Sequence, residues 1–274
     1  MARSNSPLTC ARQNILREFM PPLIFRLIKG MSSSFSRPFP TWEEALKNAT
    51  GYESEAIIKK TFDSSFKVKK GEAVYERDSV LFDEIHYSWP LLSALMWIAA
   101  RSKGEIHLLD FGGSLGTTYF QNRRFLRNLV SVTWNIVEQK KFVDLGREYF
   151  QDERLKFHYS IDSSLGPPFP EVVLFSGVLQ YLEKPFELID TIQRFPFPYV
   201  LIDRTPFVKG DQHRIRVQKV SPKIFDASYP CWFFARERFM QHFKNYEMVA
   251  DFPGSGSDCY PNVQYLGFIM ELRK

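Results

Sequence analysis

Residues 106–116, Ile-His-Leu-Leu-Asp-Phe-Gly-Gly-Ser-Leu-Gly, constrain this chain more than any other stretch. Ile106 to Phe111 is a short apolar run carrying one acid, Asp110. Gly112, Gly113 and Gly116 follow, and then a helix-like segment. A strand, a glycine turn and a helix in that order open a parallel α/β sheet, and the turn is where such sheets place a ligand. Glycine lets backbone approach a ligand closely, and the helix start offers unpaired N–H groups. Three readings fit these letters: a bare βα turn, a nucleotide-binding glycine loop, and a nucleophile elbow, since Gly112-Gly113-Ser114-Leu115-Gly116 matches G-x-S-x-G. The next strand bears on the choice. Ser131 to Val137 is strand-like and is followed by Glu138, 22 residues beyond Gly116. At that spacing an acid on a second strand reaches the hydroxyls of a bound ribose.

From residue 105 onward strands and helices alternate. Strands are expected at Ile106–Phe111, Val132–Val137, Leu155–Ile161, Glu171–Phe175 and Tyr199–Ile202, with helices at 115–130, 140–151, 184–194 and 235–244. Two closing strands, 246–252 and 263–272, flank a Gly/Ser loop at 253–258. Parallel βα units ending in a hairpin predict a mostly parallel sheet with ligands beyond its carboxyl ends. Those ends carry Asp110, Glu138, Asp162, Ser176 and Asp203. Upstream, Thr41-Trp42-Glu43-Glu44 is a capping box, and 54–69 and 88–102 read as helices. Tyr75-Glu76-Arg77-Asp78 joins those two as a solvated, salt-bridged turn. Residues 35–104 therefore read as a helical cap, 105–274 as the sheet domain and 1–34 as a separate basic segment.

The net charge of +5 suggests nucleic acid until it is located. Residues 1–40 hold six basic residues against Glu18 alone, and the remaining 30 basic and 30 acidic residues cancel. The body lacks the electrostatic footprint of a nucleic-acid binder. Cys10, Cys231 and Cys259 form no zinc or disulfide pattern, and the five histidines form no H-E-x-x-H pair, so no metal is expected. Residues 15–29 are apolar with basic punctuation and too short to span a bilayer. They suit a peripheral contact with an anionic membrane, or packing on the protein's own core. The expected location is cytoplasmic, with contact at the inner membrane face.

Leu109 to Gly116, Val137-Glu138-Gln139, Leu174 to Leu182, Asp203 to Phe207 and Ser228 to Trp232, in this order, resemble the class I S-adenosylmethionine-dependent methyltransferases. Within that class the chain is similar to a bacterial family associated with surface-polysaccharide genes. The resemblance covers roughly residues 35–272. It implies a Rossmann-like class I methyltransferase sheet of seven mostly parallel strands, closed by an antiparallel C-terminal hairpin, with an N-terminal helical cap. It also implies S-adenosyl-L-methionine as cofactor and methylation of a sugar or glycan intermediate. Gly112, Gly113, Ser114 and Gly116 would cradle the cofactor, with Asp110 at its ammonium and Glu138 and Gln139 at the ribose. Asp162 and Ser163 would lie beside the adenine, and Ser176 to Tyr181, beginning with Ser176 and Gly177, would flank the methyl group. Gln180, Arg204 and Tyr229 would hold the acceptor. Tyr181, Asp203 and His213 are the candidates for a general base. Ser114 stands where the wider class commonly has a third glycine.

Three other functions remain open at this point. A nicotinamide-dependent nucleotide-sugar oxidoreductase would use Glu138, although the glycine spacing departs from G-x-G-x-x-G. A serine hydrolase would use Ser114 with Asp203 and His213 or His242. A non-catalytic cofactor-binding relative needs no base at all.

Overall fold

The structure, a computed structural model, describes residues 34–51, 55–220, 227–254 and 262–273. All of the basic segment 1–34 except Ser34, and most of the Gly/Ser loop, lie outside these residues. In chain order the elements are β1 (Ser34–Phe35), α1 (Trp42–Lys47), α2 (Glu55–Lys70), β2 (Tyr75–Arg77), β3 (Val80–Phe82), α3 (Trp89–Arg101) and β4 (Glu105–Phe111). Then come α4 (Thr117–Leu126), β5 (Ser131–Val137), α5 (Lys140–Tyr149), β6 (Leu155–His158), β7 (Val172–Ser176), α6 (Pro185–Ile192) and β8 (Tyr199–Val208). The chain closes with β9 (Arg214–Lys219), β10 (Ser228–Ala235), α7 (Arg236–Met240), β11 (Tyr246–Pro253) and β12 (Val263–Leu272).

The glycine turn's strand, β4, sits inside the sheet. It pairs in parallel with β5 from Glu105↔Ser131 to Phe111↔Val137, and with β7 from Leu108↔Val172 to Asp110↔Leu174. β6 adds beyond β5, and β8 beyond β7. β12 then pairs antiparallel with β8, and β11 with β12. The order β6-β5-β4-β7-β8-β12-β11 is therefore an α/β, Rossmann-like sheet with one reversed strand, next to the edge. Both faces are covered, which is why the inner strands are nearly continuous apolar runs. Along β4, Ile106 and Leu108 face the core under α3, α4 and α5, while Leu109 faces the opposite core. The period-2 alternation of a strand places Asp110 on the side of Leu108.

Several elements follow the sequence closely. Thr41 caps α1 by accepting the Glu44 amide at 3.2 Å. In α3, Leu91, Leu95 and Ile98 are buried in one core with Ile106 and Leu108, as expected of a mostly apolar, buried helix. No helix among the described residues is long and apolar enough to cross a membrane. The abundant phenylalanines are largely core: Phe157, Phe175, Phe234 and Phe268 are almost completely buried, and each such burial contributes roughly 1.5–3 kcal/mol.

Two features differ from the sequence expectation. Residues 75–82 form the β2–β3 hairpin instead of a solvated turn, and Tyr75 and Glu76 are 3% exposed. β8 does not stop at Ile202 but runs on past the end of β7 to Val208. There Phe207 and Val208 pair with Phe234 and Ala235 of β10, which carries β9 and then β1. The expected strand break at Asp203-Arg204 is only a local irregularity, with Arg204 at φ +53° and a register shift opposite it in β12. The apolar side chains on both sides of it keep the strand paired. The result is a three-stranded wall rising beyond the carboxyl ends of the parallel strands.

Candidate functional site

The glycine turn is shaped by three contacts. Gly112 has φ +72°, and a Cβ there would lie 2.3 Å from Val178 Cγ2. A Cβ on Gly113 would lie 2.6 Å from Asp110 Oδ2. Gly116 caps α4 at φ +97°. Ser114 also lies in the left-handed region, at φ +53°, where an L side chain is disfavoured. The turn thus keeps a glycine-like conformation at the position where the sequence has serine.

Asp110 is fully buried beneath that turn. Its Oδ2 accepts the Trp134 indole N–H at 3.0 Å, and its Oδ1 has no partner. Burial pushes its pKa up to about 7, against the opposing pull of Trp134 and Arg204. An unpaired buried carboxylate oxygen is costly, so this atom points to a missing donor. Glu138 stands at the end of β5, its amide bonded to His158 O at 3.2 Å. Its Oε2 accepts the Gln139 amide at 2.7 Å and the carboxylate also faces the Ser114 amide, while burial raises its pKa. Gln139 is the exposed N-cap of α5. Asp162 and Ser163 lie on an exposed 3-10 turn after β6, where the Ser163 hydroxyl donates to Ser160 O at 2.9 Å. They form the rim on the β5–β6 side.

The other half of the crevice is built by β7, β8 and the added wall. Asp203 pairs with Ser176 across the ladder and is 2% exposed. Its Oδ1 accepts the Arg204 amide at 2.9 Å, and the Ser88 and Ser176 hydroxyls face it. Burial raises its pKa above the ordinary carboxylate range. The Arg204 guanidinium turns back over β7, donating to Ser176 Oγ at 3.4 Å and Ser176 O at 3.2 Å. Gly177 (φ +71°) lies under it: a Cβ there would sit 3.1 Å from Arg204 Nη2. Gln180 is buried, with Nε2 donating to Arg204 O at 3.3 Å and Oε1 unpartnered. The Tyr181 hydroxyl donates to Gln218 of β9 at 3.0 Å, and its ring packs edge-on against Tyr229 of β10. The residue is 37% exposed, and the desolvation its phenol suffers against Tyr229 and Cys231 raises its pKa above the ordinary value.

His213 is not in this crevice. Its Nδ1 accepts the Ala235 amide at 2.9 Å, and its ring packs on Phe186, Trp232 and Phe234. Burial lowers its pKa to about 4, so it is neutral and already committed. His242 stacks on Phe186 as well and faces Asp190. Neither histidine serves Ser114, so the hydrolase triad is not assembled.

The site contains residues the sequence reading missed. Glu76 of the β2–β3 hairpin accepts the hydroxyl of Thr117, the first residue of α4, and the Ser79 amide at 3.3 Å. Burial raises its pKa. Tyr75 accepts from Gln121 of α4 at 3.1 Å. The hairpin is thus pinned to the helix that follows the glycine turn. Its sequence signal was faint: Asp78 and Ser79 both take positive φ, as in a tight hairpin, but lack the usual Asn-Gly letters. Trp134 was missed because a core aromatic carries no functional signal.

No family model matches the sequence, and no curated protein matches it. Solved structures that it resembles include the N-terminal domain of EvdMO1 in the presence of SAH and D-fucose, at 12% identity and TM-score 0.48, covering 76% of this chain and 94% of that one. Another is Burkholderia thailandensis 1,6-didemethyltoxoflavin-N1-methyltransferase, at 14% identity and TM-score 0.43, covering 87% and 93%. A third is the glycopeptide N-methyltransferase MtfA complexed with (S)-adenosyl-L-methionine, at 10% identity and TM-score 0.45, covering 66% and 94%. At such identities the chemistry has to be read from this chain's own residues.

Proposed function

We propose that this chain is an S-adenosylmethionine-dependent methyltransferase. The observation that carries the reading is Asp110, whose buried Oδ1 lacks a donor directly beneath a glycine turn with no room for a Cβ. A cationic ammonium would satisfy that atom. Asp110, Glu138 and Asp203 outnumber Arg204 around the crevice, which suits a ligand carrying positive charge. Glu138 has the place and chemistry to take ribose hydroxyls, with Gln139 beside it and Asp162 and Ser163 beside the adenine. The cofactor would supply an electrophilic methyl group. The chain's part is to align an acceptor with it, because methyl transfer chiefly requires in-line geometry.

The same residues disfavour a nicotinamide dinucleotide. Such a cofactor sets its pyrophosphate on the helix start after the glycine turn. Here Thr117, in the first turn of α4, is bonded to the Glu76 carboxylate, and a pyrophosphate would meet that like charge.

For the acceptor, we propose a sugar or glycan hydroxyl, at the side of the crevice formed by Gln180, Tyr181, Arg204 and Tyr229. Phenol rings and amide groups together suit a polyhydroxylated ring. A hydroxyl acceptor needs a base. Tyr181 keeps its proton and His213 lies elsewhere, which leaves Asp203 acting through Ser176. The link to surface-polysaccharide synthesis rests on the family resemblance.

Calorimetric titration with S-adenosylmethionine, NAD and a nucleotide sugar in parallel tests the reading. S-adenosylmethionine should bind and NAD should not. Tight NAD binding would move the protein to the oxidoreductases. Cofactor binding with no methylation of any acceptor would make it a non-catalytic relative.

A further inference from the structure

The guanidinium of Arg204 is the most unusual group in the crevice. Its residue holds a left-handed backbone, φ +53°, in the middle of a strand. Non-glycine residues keep such a conformation only where their surroundings over-determine it, and they cluster at binding sites. A guanidinium offers five N–H donors in a planar fork. Its hydrogen bonds among the described residues both go to Ser176, at 3.2 and 3.4 Å. Its nearest carboxylate, Asp78 Oδ2, lies 3.9 Å from Nη1, too far for a hydrogen bond. Asp78 sits in the turn of the β2–β3 hairpin with its side chain 74% exposed, whereas the Arg204 side chain is 20% exposed. The pair is therefore lopsided: a sheltered cation facing a solvated, displaceable acid. Gln180, whose Nε2 donates to the Arg204 backbone carbonyl at 3.3 Å, offers an unsatisfied group in its buried Oε1.

We infer that Arg204 is an oxyanion receptor for the acceptor, and that the acceptor carries a carboxylate or phosphate next to a hydroxyl or amine. The anion takes the place of Asp78 on the guanidinium fork, and the neighbouring O–H or N–H donates to Gln180 Oε1. Arginine suits this role because its fork matches carboxylate and phosphate oxygens two at a time. Asp78 then acts as a weak internal competitor that fills the site in the absence of acceptor. The inference deepens the methyltransferase reading, yet the anion site can be measured without cofactor.

The test uses the full chain and four probes, D-glucose, D-glucuronate, D-glucose 6-phosphate and inorganic phosphate, titrated by calorimetry at low salt. Anionic probes should bind and D-glucose should bind at least about tenfold more weakly, the range set by charge-assisted hydrogen bonds. Comparison of glucuronate with the two phosphates separates a carboxylate receptor from a phosphate receptor. Arg204→Gln should abolish the preference for the anion. Asp78→Asn, at an exposed side chain, should strengthen anion binding several-fold, and this opposite sign cannot arise from misfolding. Absence of binding by every anionic probe, or no response to Asp78→Asn, overturns the inference. S-adenosylhomocysteine is titrated into the same variants. If Arg204→Gln weakens it as much as it weakens the anions, the arginine reads the cofactor's own carboxylate and the inference is wrong. If wild type binds the anions but not S-adenosylhomocysteine, the methyltransferase reading fails and the anion site stands.

Discussion

Single residues decide how the glycine turn works. Gly113→Ala would press a Cβ to 2.6 Å from Asp110 Oδ2. It should abolish cofactor binding in calorimetry and lower the melting temperature, because backbone or carboxylate must move. Ser114→Gly should do the reverse. The left-handed conformation costs an L residue about 1 kcal/mol or more, so relief of it should raise the midpoint of denaturant unfolding, offset in part by the unfolded-state entropy of glycine. Glu138→Ala should weaken S-adenosylmethionine by roughly 2–3 kcal/mol, as for lost charged hydrogen bonds, with the fold intact by circular dichroism. Asp110 supplies a pH signature. Its pKa rises from 3.8 to about 7 on folding, chiefly through burial. The folded state therefore holds a proton that the unfolded state gives up. The associated stability is complete below about pH 4 and is lost as pH rises toward 7. Asp110→Asn should flatten that part of the stability profile and eliminate cofactor binding, measured by urea titration at several pH values.

At the scale of elements, the β2–β3 hairpin and the wall of β9 and β10 convert a bare sheet end into a crevice. The hairpin is fastened to α4 by the Glu76–Thr117 bond, and Glu76 is 3% exposed. Thr117→Val keeps the shape and removes the donor. It should destabilise the protein by about 1–3 kcal/mol, because the carboxylate is left buried with one fewer partner, and chemical denaturation would show it. Among the described residues the wall owes its position to the ten-residue length of β8, which carries apolar Phe207 and Val208 beyond the polar Asp203-Arg204-Thr205. The sequence reading stopped that strand at Ile202 because Asp203-Arg204-Thr205-Pro206 looks like a turn. The chain instead absorbs Arg204 as an irregularity, since Phe207 and Val208 gain both β10 and β12 as neighbours.

For the molecule as a whole, charge is distributed unevenly. The entire excess of +5 falls in residues 1–40, where Arg3, Arg12, Arg17, Arg26 and Lys29 precede β1 and Arg37 follows it. We propose that residues 1–34 are a peripheral anchor on anionic membrane. Each basic residue near such a surface contributes about 1 kcal/mol, falling with salt. A chain cut before Ser34 keeps β1, whose Ser34 and Phe35 pair with Lys219 and Gln218. It should keep cofactor affinity and lose co-sedimentation with anionic vesicles at low salt. Equal sedimentation of the cut and full chains would show that the segment is no anchor.

The amino-acid sequence determined the parallel centre of the sheet. Apolar periodicity and glycine placement act over a few residues, so β4, the turn after it, and the acids Asp110 and Glu138 at adjacent strand ends were legible from the letters. So were the capped α1 and the buried α3. Tertiary structure alone decided which polar groups meet. Glu76 reaches Thr117, Asp78 faces Arg204, and Tyr181 meets Gln218 only because segments distant in sequence pack on one sheet end. Pairing across such distances leaves no local period to read. His213 and Asp203 looked alike as candidate bases in the sequence. Packing separated them, placing one among Phe186, Trp232 and Phe234 and the other beside Ser176, because burial in a given core is a property of the assembled chain.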